Sequence, residues 1–432
     1  MSVSDMFKEF LDNIKVQKSD HFKQRYEQIT KVLNLKFRET DSTSTNSLQV
    51  GSYGRYTGIK GISDLDMVYI MPSSKWDDYK DNKQSKLLTD VKEAIKSRYP
   101  STDVKVDGLV VSVKYQSFHV EVQPVFDRYN SDGSGYFEFP HTGNGGSWKK
   151  TKPRQEMKAV KELNDEKNKN LRLLCKMARA WKNKSGAAMG GLLIDTLAYN
   201  FMKSTTEYDS VGHGSFDRLS RDFFKYLADQ DKKDHYQAPG SNQDVKVKKD
   251  FRNKAKEAYE LCVEAIEADN TAKASKKWRK LYGSDFPKVE AVEEAVAKAS
   301  VTWRDTEQFI EDQYPIDVRY NMRLDCDVSQ AGYRTDSLFQ MLLKKTPLRP
   351  DKQLQFQVVE TEVPGNYTLL WKVLNQGPEA QRRNEIRGQI VADEGYRKRS
   401  ERTSFRGEHF VECYAIQNGV VVARASIDVP IQ

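Results

Sequence analysis

Two short stretches of the chain carry residue types that could do chemistry together. Gly51-Ser52-Tyr53-Gly54-Arg55 is a glycine-flanked serine turn, a form of backbone that brings N–H groups against a phosphate. After a short loop comes Ser63-Asp64-Leu65-Asp66-Met67-Val68-Tyr69. Side chains of a strand alternate between faces, so Asp64 and Asp66 project the same way while their neighbours anchor the strand in a core. Two such carboxylates hold a hard divalent cation, which Mg²⁺ sites share with substrate phosphates. A third carboxylate is wanted from a neighbouring strand, and Phe118-His119-Val120-Glu121-Val122-Gln123-Pro124-Val125-Phe126 supplies Glu121 as its lone acid. A Gly-Ser pair or an Asp-x-Asp alone is common in turns and on solvated faces. Joined in this order and followed by an acid-bearing strand, they outline a nucleotidyl-transfer site.

The elements that must position these residues are legible around them. Phe22, Tyr26, Ile29, Leu33 and Phe37 recur at helical spacing and predict a long amphipathic helix over 19–37, with Ser19 or Asp20 as its cap. The stretch 76–100 reads as helical, and 103–106 and 109–113 read as strands. Mixed strands and helices around one sheet fit a small α+β lobe over residues 1–140. From Lys149 to Lys184 there are thirteen Lys or Arg against four Asp or Glu, enough for a positive wall of the kind a triphosphate needs. Helical patterns continue through 190–199, 216–227 and 251–268, with 235–242 as a loop, and give a helical lobe over 141–300 that ends in an Ala- and Glu-rich connector helix.

Composition narrows the class. The 432 residues suffice for two or three domains; 38% are hydrophobic and 31% charged, and no apolar run approaches a membrane span. The first residues mix charges through their apolar positions, so no secretory leader is expected and the cytoplasm is the expected compartment. The four cysteines lie far apart without metal-ligand spacing and read as reduced thiols. A net charge of +8 is a mild bias over this length and does not by itself declare a nucleic-acid binder.

The residues quoted above resemble the DNA polymerase beta nucleotidyltransferase superfamily. GSYGRYTGIKGISDLDMVY followed by FHVEVQPVF is similar to the bacterial SMODS group, the CD-NTases related to cyclic GMP-AMP synthase and oligoadenylate synthase. The resemblance implies two Mg²⁺ or Mn²⁺ ions on Asp64, Asp66 and Glu121, where aspartate is the commoner third ligand. It implies a donor triphosphate on Gly51 and Ser52. It also implies a basic residue of helix 170–182 on that triphosphate, in a basic-x-Trp setting that Arg179-Ala180-Trp181 matches, with Arg179 the first candidate and Lys176 the second.

The end of the chain changes character. Residues 354–358, 367–373 and 410–416 are strand-like, and Asn418-Gly419 sets a tight hairpin before Val420. A β-sandwich over 346–432 is expected, approached through 301–345. WKVLNQGPEAQRRNEIRGQI and FRGEHFVECYAIQNGVVVARASIDVPI resemble the AGS-C sensor domain. Its basic residues between Arg382 and Arg406 predict either a nucleotide or nucleic-acid ligand or an ordinary charged surface. The two resemblances together imply a template-independent nucleotidyltransferase that joins nucleoside triphosphates into a cyclic di- or oligonucleotide. The product would act on a separate effector in anti-phage signalling. Two alternatives stay open: linear oligonucleotides from NTPs or dNTPs, and a silent nucleotide sensor.

Overall fold

A computed structural model of the chain describes all residues except 18, 62–63, 116–117, 144, 290–307, 331–332, 376–377, 384–386 and 394. In chain order the first lobe holds α1 (Val3–Asn13), α2 (Ser19–Arg38), β1 (Ser47–Gln49), α3 (Gly51–Gly54), β2 (Asp64–Ile70), α4 (Trp76–Tyr79), α5 (Gln84–Arg98), β3 (Asp103–Asp107), β4 (Val110–Lys114), β5 (His119–Tyr129), β6 (Gly135–His141) and β7 (Ser147–Thr151). The sheet runs β1-β2-β5-β4-β3, with β6 and β7 continuing from β5. Only β2 and β5 pair in parallel; the rest are antiparallel. On one face Leu65, Met67 and Tyr69 pack under α2 and α5, meeting Phe22, Ile29 and Leu33. This is the predicted stripe of α2, buried where the 3.6-residue period put it. The sheet runs on to Thr151, beyond the expected edge of the lobe at 140.

The helical lobe comprises α6 (Pro153–Glu166), α7 (Asn170–Ser185), α8 (Gly191–Ser204), α9 (Phe216–Ala228), α10 (Arg252–Ile266) and α11 (Thr271–Tyr282). Between α9 and α10 the expected loop contains a small ribbon of β8 (His235–Gln237) and β9 (Asp244–Lys246). Helix α1, assigned from sequence to the first lobe, buries Met6, Phe7 and Phe10 in the helical core instead. Phe7 makes edge contacts with Trp278 and Phe286, at 5.1 and 5.2 Å between ring centres. The predicted connector helix over 288–300 lies almost wholly outside the described residues.

The C-terminal part is a sandwich of two four-stranded sheets. One is ordered β11-β10-β12-β15 from β10 (Met322–Gln330), β11 (Tyr333–Ser337), β12 (Gln353–Thr361) and β15 (Lys398–Arg402). The other is β14-β13-β16-β17 from β13 (Thr368–Leu374), β14 (Ile390–Ala392), β16 (Gly407–Gln417) and β17 (Val420–Ile431). Asn418 and Gly419 both take positive φ, 53° and 77°, as a type I′ hairpin requires. The sandwich begins earlier than expected: Met322, Leu324, Cys326 and Val328 of β10 bury every second side chain in its core. Residues 322–330 thus belong to the sheet and are no mere approach to it.

Candidate active site

Parallel pairing of β2 with β5 sets the register Asp64↔His119 and Asp66↔Glu121. Directly paired residues share a sheet face, so Asp64, Asp66, His119 and Glu121 all point away from α2 and α5. Ligand atoms of Asp64, His119 and Glu121 lie within 4.8 Å of one another, the only such metal-ligating set among the described residues. His119 Nε2 stands 3.4 Å from Glu121 Oε1. None of the six histidines was expected in the site, although His119 lies two positions before Glu121 and the strand period alone puts it on the same face.

The carboxylates are electrostatically frustrated. Burial first, then the neighbouring Asp317 and Glu121 charges, holds Asp64 above its usual range against the pull of Arg319. Burial, then Asp64 and Glu121, pushes Asp66 up to about 7. Crowded oxygen donors that raise one another in this way are relieved by a bound cation, so the donor set fits a divalent metal.

The serine turn leans directly on this set. Gly51 has φ +63°, and a Cβ there would sit 1.8 Å from Asp66 Oδ2; a Cβ on Gly54 would sit 2.4 Å from the Gln49 carbonyl. Both glycines are therefore demanded by the protein's own groups, and the first brings the backbone of the turn against the Asp66 carboxylate, which lies outside the set formed by Asp64, His119 and Glu121. Gly51→Ala is expected to displace the Asp66 carboxylate and to cost about 1–2 kcal/mol of stability from the left-handed backbone. Parallel assays of turnover and urea unfolding check this, and a variant with normal turnover refutes the close approach. The carbonyl of Ser52 accepts from Thr57 N at 2.9 Å and Gly58 N at 3.1 Å, closing the turn.

Behind the turn lies a buried charge cluster. Asp195, fully buried on α8, accepts from Arg55 Nε at 2.8 Å and Thr57 Oγ1 at 3.0 Å. It also accepts from Arg179 at 2.5 and 3.0 Å through its two oxygens. Burial raises the Asp195 carboxyl, but Arg179 and Arg55 outweigh it and hold the group down at about 2. This corrects the reading of Arg179 as a residue of the triphosphate wall. Its guanidinium is buried, spent on Asp195, and further donates to the Gly191 carbonyl at 3.0 Å. Arg179 braces the serine turn through Asp195.

Lys176, one turn earlier on α7, is only half-buried, and no carboxylate among the described residues pairs with it. Burial, then the Lys15 and Arg172 charges, lowers its pKa. Arg172 donates to the Arg55 carbonyl at 3.0 Å and lies over the Tyr56 ring at 4.8 Å, beside the serine turn. The sequence reading did not single out Arg172, though it sits one helical turn before Lys176.

The basic run of the sandwich is largely engaged. Arg382 and Arg383 pair with Glu379, Arg387 and Arg399 with Glu401, and Arg402 with Asp351. No described helix is long and apolar enough to cross a membrane.

Two family models match this chain. Residues 1–164 match the Second Messenger Oligonucleotide or Dinucleotide Synthetase domain, SMODS, and residues 304–432 match the Adenylyl/Guanylyl and SMODS C-terminal sensor domain, AGS-C. A probable cyclic nucleotide synthase of Bacillus cereus (strain VD146) is 22% identical over 274 residues, 55% of this chain and 81% of the relative. Among solved structures, CdnC of E. coli MS115-1 with ATP superposes with a TM-score of 0.51 at 14% identity, covering 66% of this chain and 98% of that one. The same protein in complex with HORMA-deltaN gives 0.50 at 15% identity over the same shares. At these identities the structural likeness speaks for the fold.

Proposed function

We propose that the chain is a CD-NTase, its residues 1–164 matching a SMODS synthetase domain and its residues 304–432 an AGS-C sensor domain, and that it joins nucleoside triphosphates without a template into a cyclic di- or oligonucleotide. The observation that carries this reading is the register of β2 against β5, which stacks Asp66 on Glu121 and keeps Asp64 on the same face beside the Gly51 turn. The relative named as a probable cyclic nucleotide synthase supports ring closure. The product would serve a separate effector in anti-phage signalling.

Asp64, Asp66 and Glu121, with His119 alongside, would hold two Mg²⁺ or Mn²⁺ ions. Bound there, the ions would supply charge neutralisation for the attacking and leaving oxygens of an in-line displacement. The chain's own groups do the rest. The Gly51-Ser52 turn holds the donor triphosphate, and Lys176 and Arg172 offer it cationic donors from α7. A 2′ or 3′ hydroxyl of a second nucleotide attacks the α-phosphate and pyrophosphate departs. Glu121 would take the hydroxyl proton at a carboxylate oxygen. Asp195, through Arg55 and Thr57, keeps the turn in the shape this requires.

Incubation with all four NTPs and all four dNTPs plus Mg²⁺ or Mn²⁺, then phosphatase and mass spectrometry, tests the proposal. A phosphatase-resistant species at a cyclic mass is expected. A ladder of phosphatase-sensitive oligomers would replace it with a linear synthase. Absence of both product and pyrophosphate with every nucleotide would leave the silent-sensor reading in its place.

A further inference from the structure

Residues 308–320 form a strap that belongs to the sandwich but reaches the active site. Its backbone is stitched to β17: Val421 N donates to the Pro315 carbonyl at 2.9 Å, Asp317 N to Val421 at 3.0 Å, and Arg319 N to Val422 at 2.8 Å. Ile310, Tyr314 and Ile316 pack on Tyr414, Ile416 and Val421. Wherever β17 sits, Asp317 and Arg319 sit with it.

Two side chains of the strap then make a chain of charges into the catalytic lobe. Lys182 of α7 is bonded to Asp317 at 3.2 Å, Asp317 grips the Nε edge of Arg319, and Arg319 Nη2 meets Asp64 Oδ2 at 3.2 Å. A guanidinium supplied by the C-terminal domain thus occupies an oxygen of the metal set. Arg319 keeps 37% of its side-chain surface exposed, so it can exchange partners without unpacking a core.

Further charged pairs line the same contact. Lys184 of α7 meets Glu412 at 3.0 Å, Glu412 meets Arg424 at 2.6 Å, and Arg424 meets Glu311 at 3.3 Å. The apolar cores of the helical lobe and the sandwich remain separate clusters. A seam built from charges gains little net stability over its solvated state. Interdomain contacts of this kind permit relative motion.

We propose that Arg319 is a placeholder cation. As a positioning residue acting through Asp64, it lets the docked C-terminal domain compete with a divalent ion for that carboxylate, so docking sets the metal affinity of the site. The proposal rests on the reading of Asp64 as a metal ligand. Coupling of this kind is reciprocal: metal binding weakens docking of the strap by the same factor.

The test is Mn²⁺ binding to the full chain, read by isothermal titration and by the free-ion EPR signal, without nucleotide. Arg319→Gln is expected to bind Mn²⁺ roughly three- to tenfold tighter than the wild type. Arg319→Lys, which keeps the charge, stays near the wild-type value. Unchanged or weaker binding by a normally folded Arg319→Gln overturns the placeholder. Binding that is the same in wild type and Asp64→Asn overturns the metal-site reading instead, and so separates the two failures. Hydrogen exchange on the unaltered protein gives a second measurement that does not depend on a variant folding. Mn²⁺ should speed exchange of the Asp317 and Arg319 amides, and protection unaffected by saturating Mn²⁺ counts against the coupling.

Discussion

Asp66→Asn should abolish nucleotidyl transfer while leaving the fold at least as stable as before. Loss of an outer partner of a metal ligand already costs roughly 10–100-fold, and Asp66 is assigned to the metal itself, so turnover should fall by more than that. The stability half of the expectation follows from the crowding. The folded-state value of about 7 lies above the ordinary 3.8, so between those values the native chain holds a proton that the unfolded chain has lost. Stability therefore falls as pH rises through that window, and the whole penalty is present above about pH 7. Asparagine removes it. At about pH 8 without metal the variant should melt at or above the wild-type temperature, and Mg²⁺ should raise the melting temperature of the wild type more than that of the variant. Unchanged turnover in Asp66→Asn would sink the metal assignment. A lower melting temperature would sink the electrostatic account of the crowding.

Asp195→Ala should be among the most damaging single changes in the protein. It leaves Arg179 buried without its carboxylate and takes from Arg55 one of its two, and breaking a buried pair by removing one partner costs about 3–5 kcal/mol. Arg55 retains Glu156 at 3.7 Å, whereas among the described residues Arg179 keeps the Cys175 and Gly191 carbonyls as its hydrogen-bond partners. Most of the loss should therefore trace to Arg179, and Arg179→Met combined with Asp195→Ala should recover part of it. Urea unfolding measures both. Because Arg55 and Thr57 are released together, KM for the nucleotide should also rise in whatever fraction of Asp195→Ala still folds. A loss below about 1 kcal/mol would place this cluster with the weakly contributing surface pairs.

The site was legible in the sequence where its parts obey a local period. Asp64 and Asp66 share a face because strands alternate, and the same rule reaches Glu121 once β5 is recognised as a strand. It reaches His119 too, a signal present and not used. Arg179 shows the limit of reading one helix alone. The basic residues of α7 look like a solvated wall until the helix is seen to be covered on most sides, and then a cation on it needs a buried anion. The sign of that anion was visible as Asp195, a lone acid inside the apolar run Leu192–Leu197 of α8, since carboxylates are almost never fully buried without a partner. Arg319 had no local signal: its meaning depends on β17 lying beside the strap and on Asp64 lying across the cleft. The early start of the sandwich was readable in the alternation of β10, but Arg323, Asp325 and Asp327 between the apolar positions disguise it as a charged connector.

The strap hangs on β17, and β17 follows both lobes in chain order. A ribosome completes both lobes, with their carboxylates in place, well before it delivers Val421 and Val422 to hold Arg319. Synthesis therefore assembles the catalytic apparatus before the strand that holds its counter-charge. A nascent or C-terminally clipped molecule passes through a stage in which Asp64 faces the cleft without the arginine that accompanies it in the finished protein.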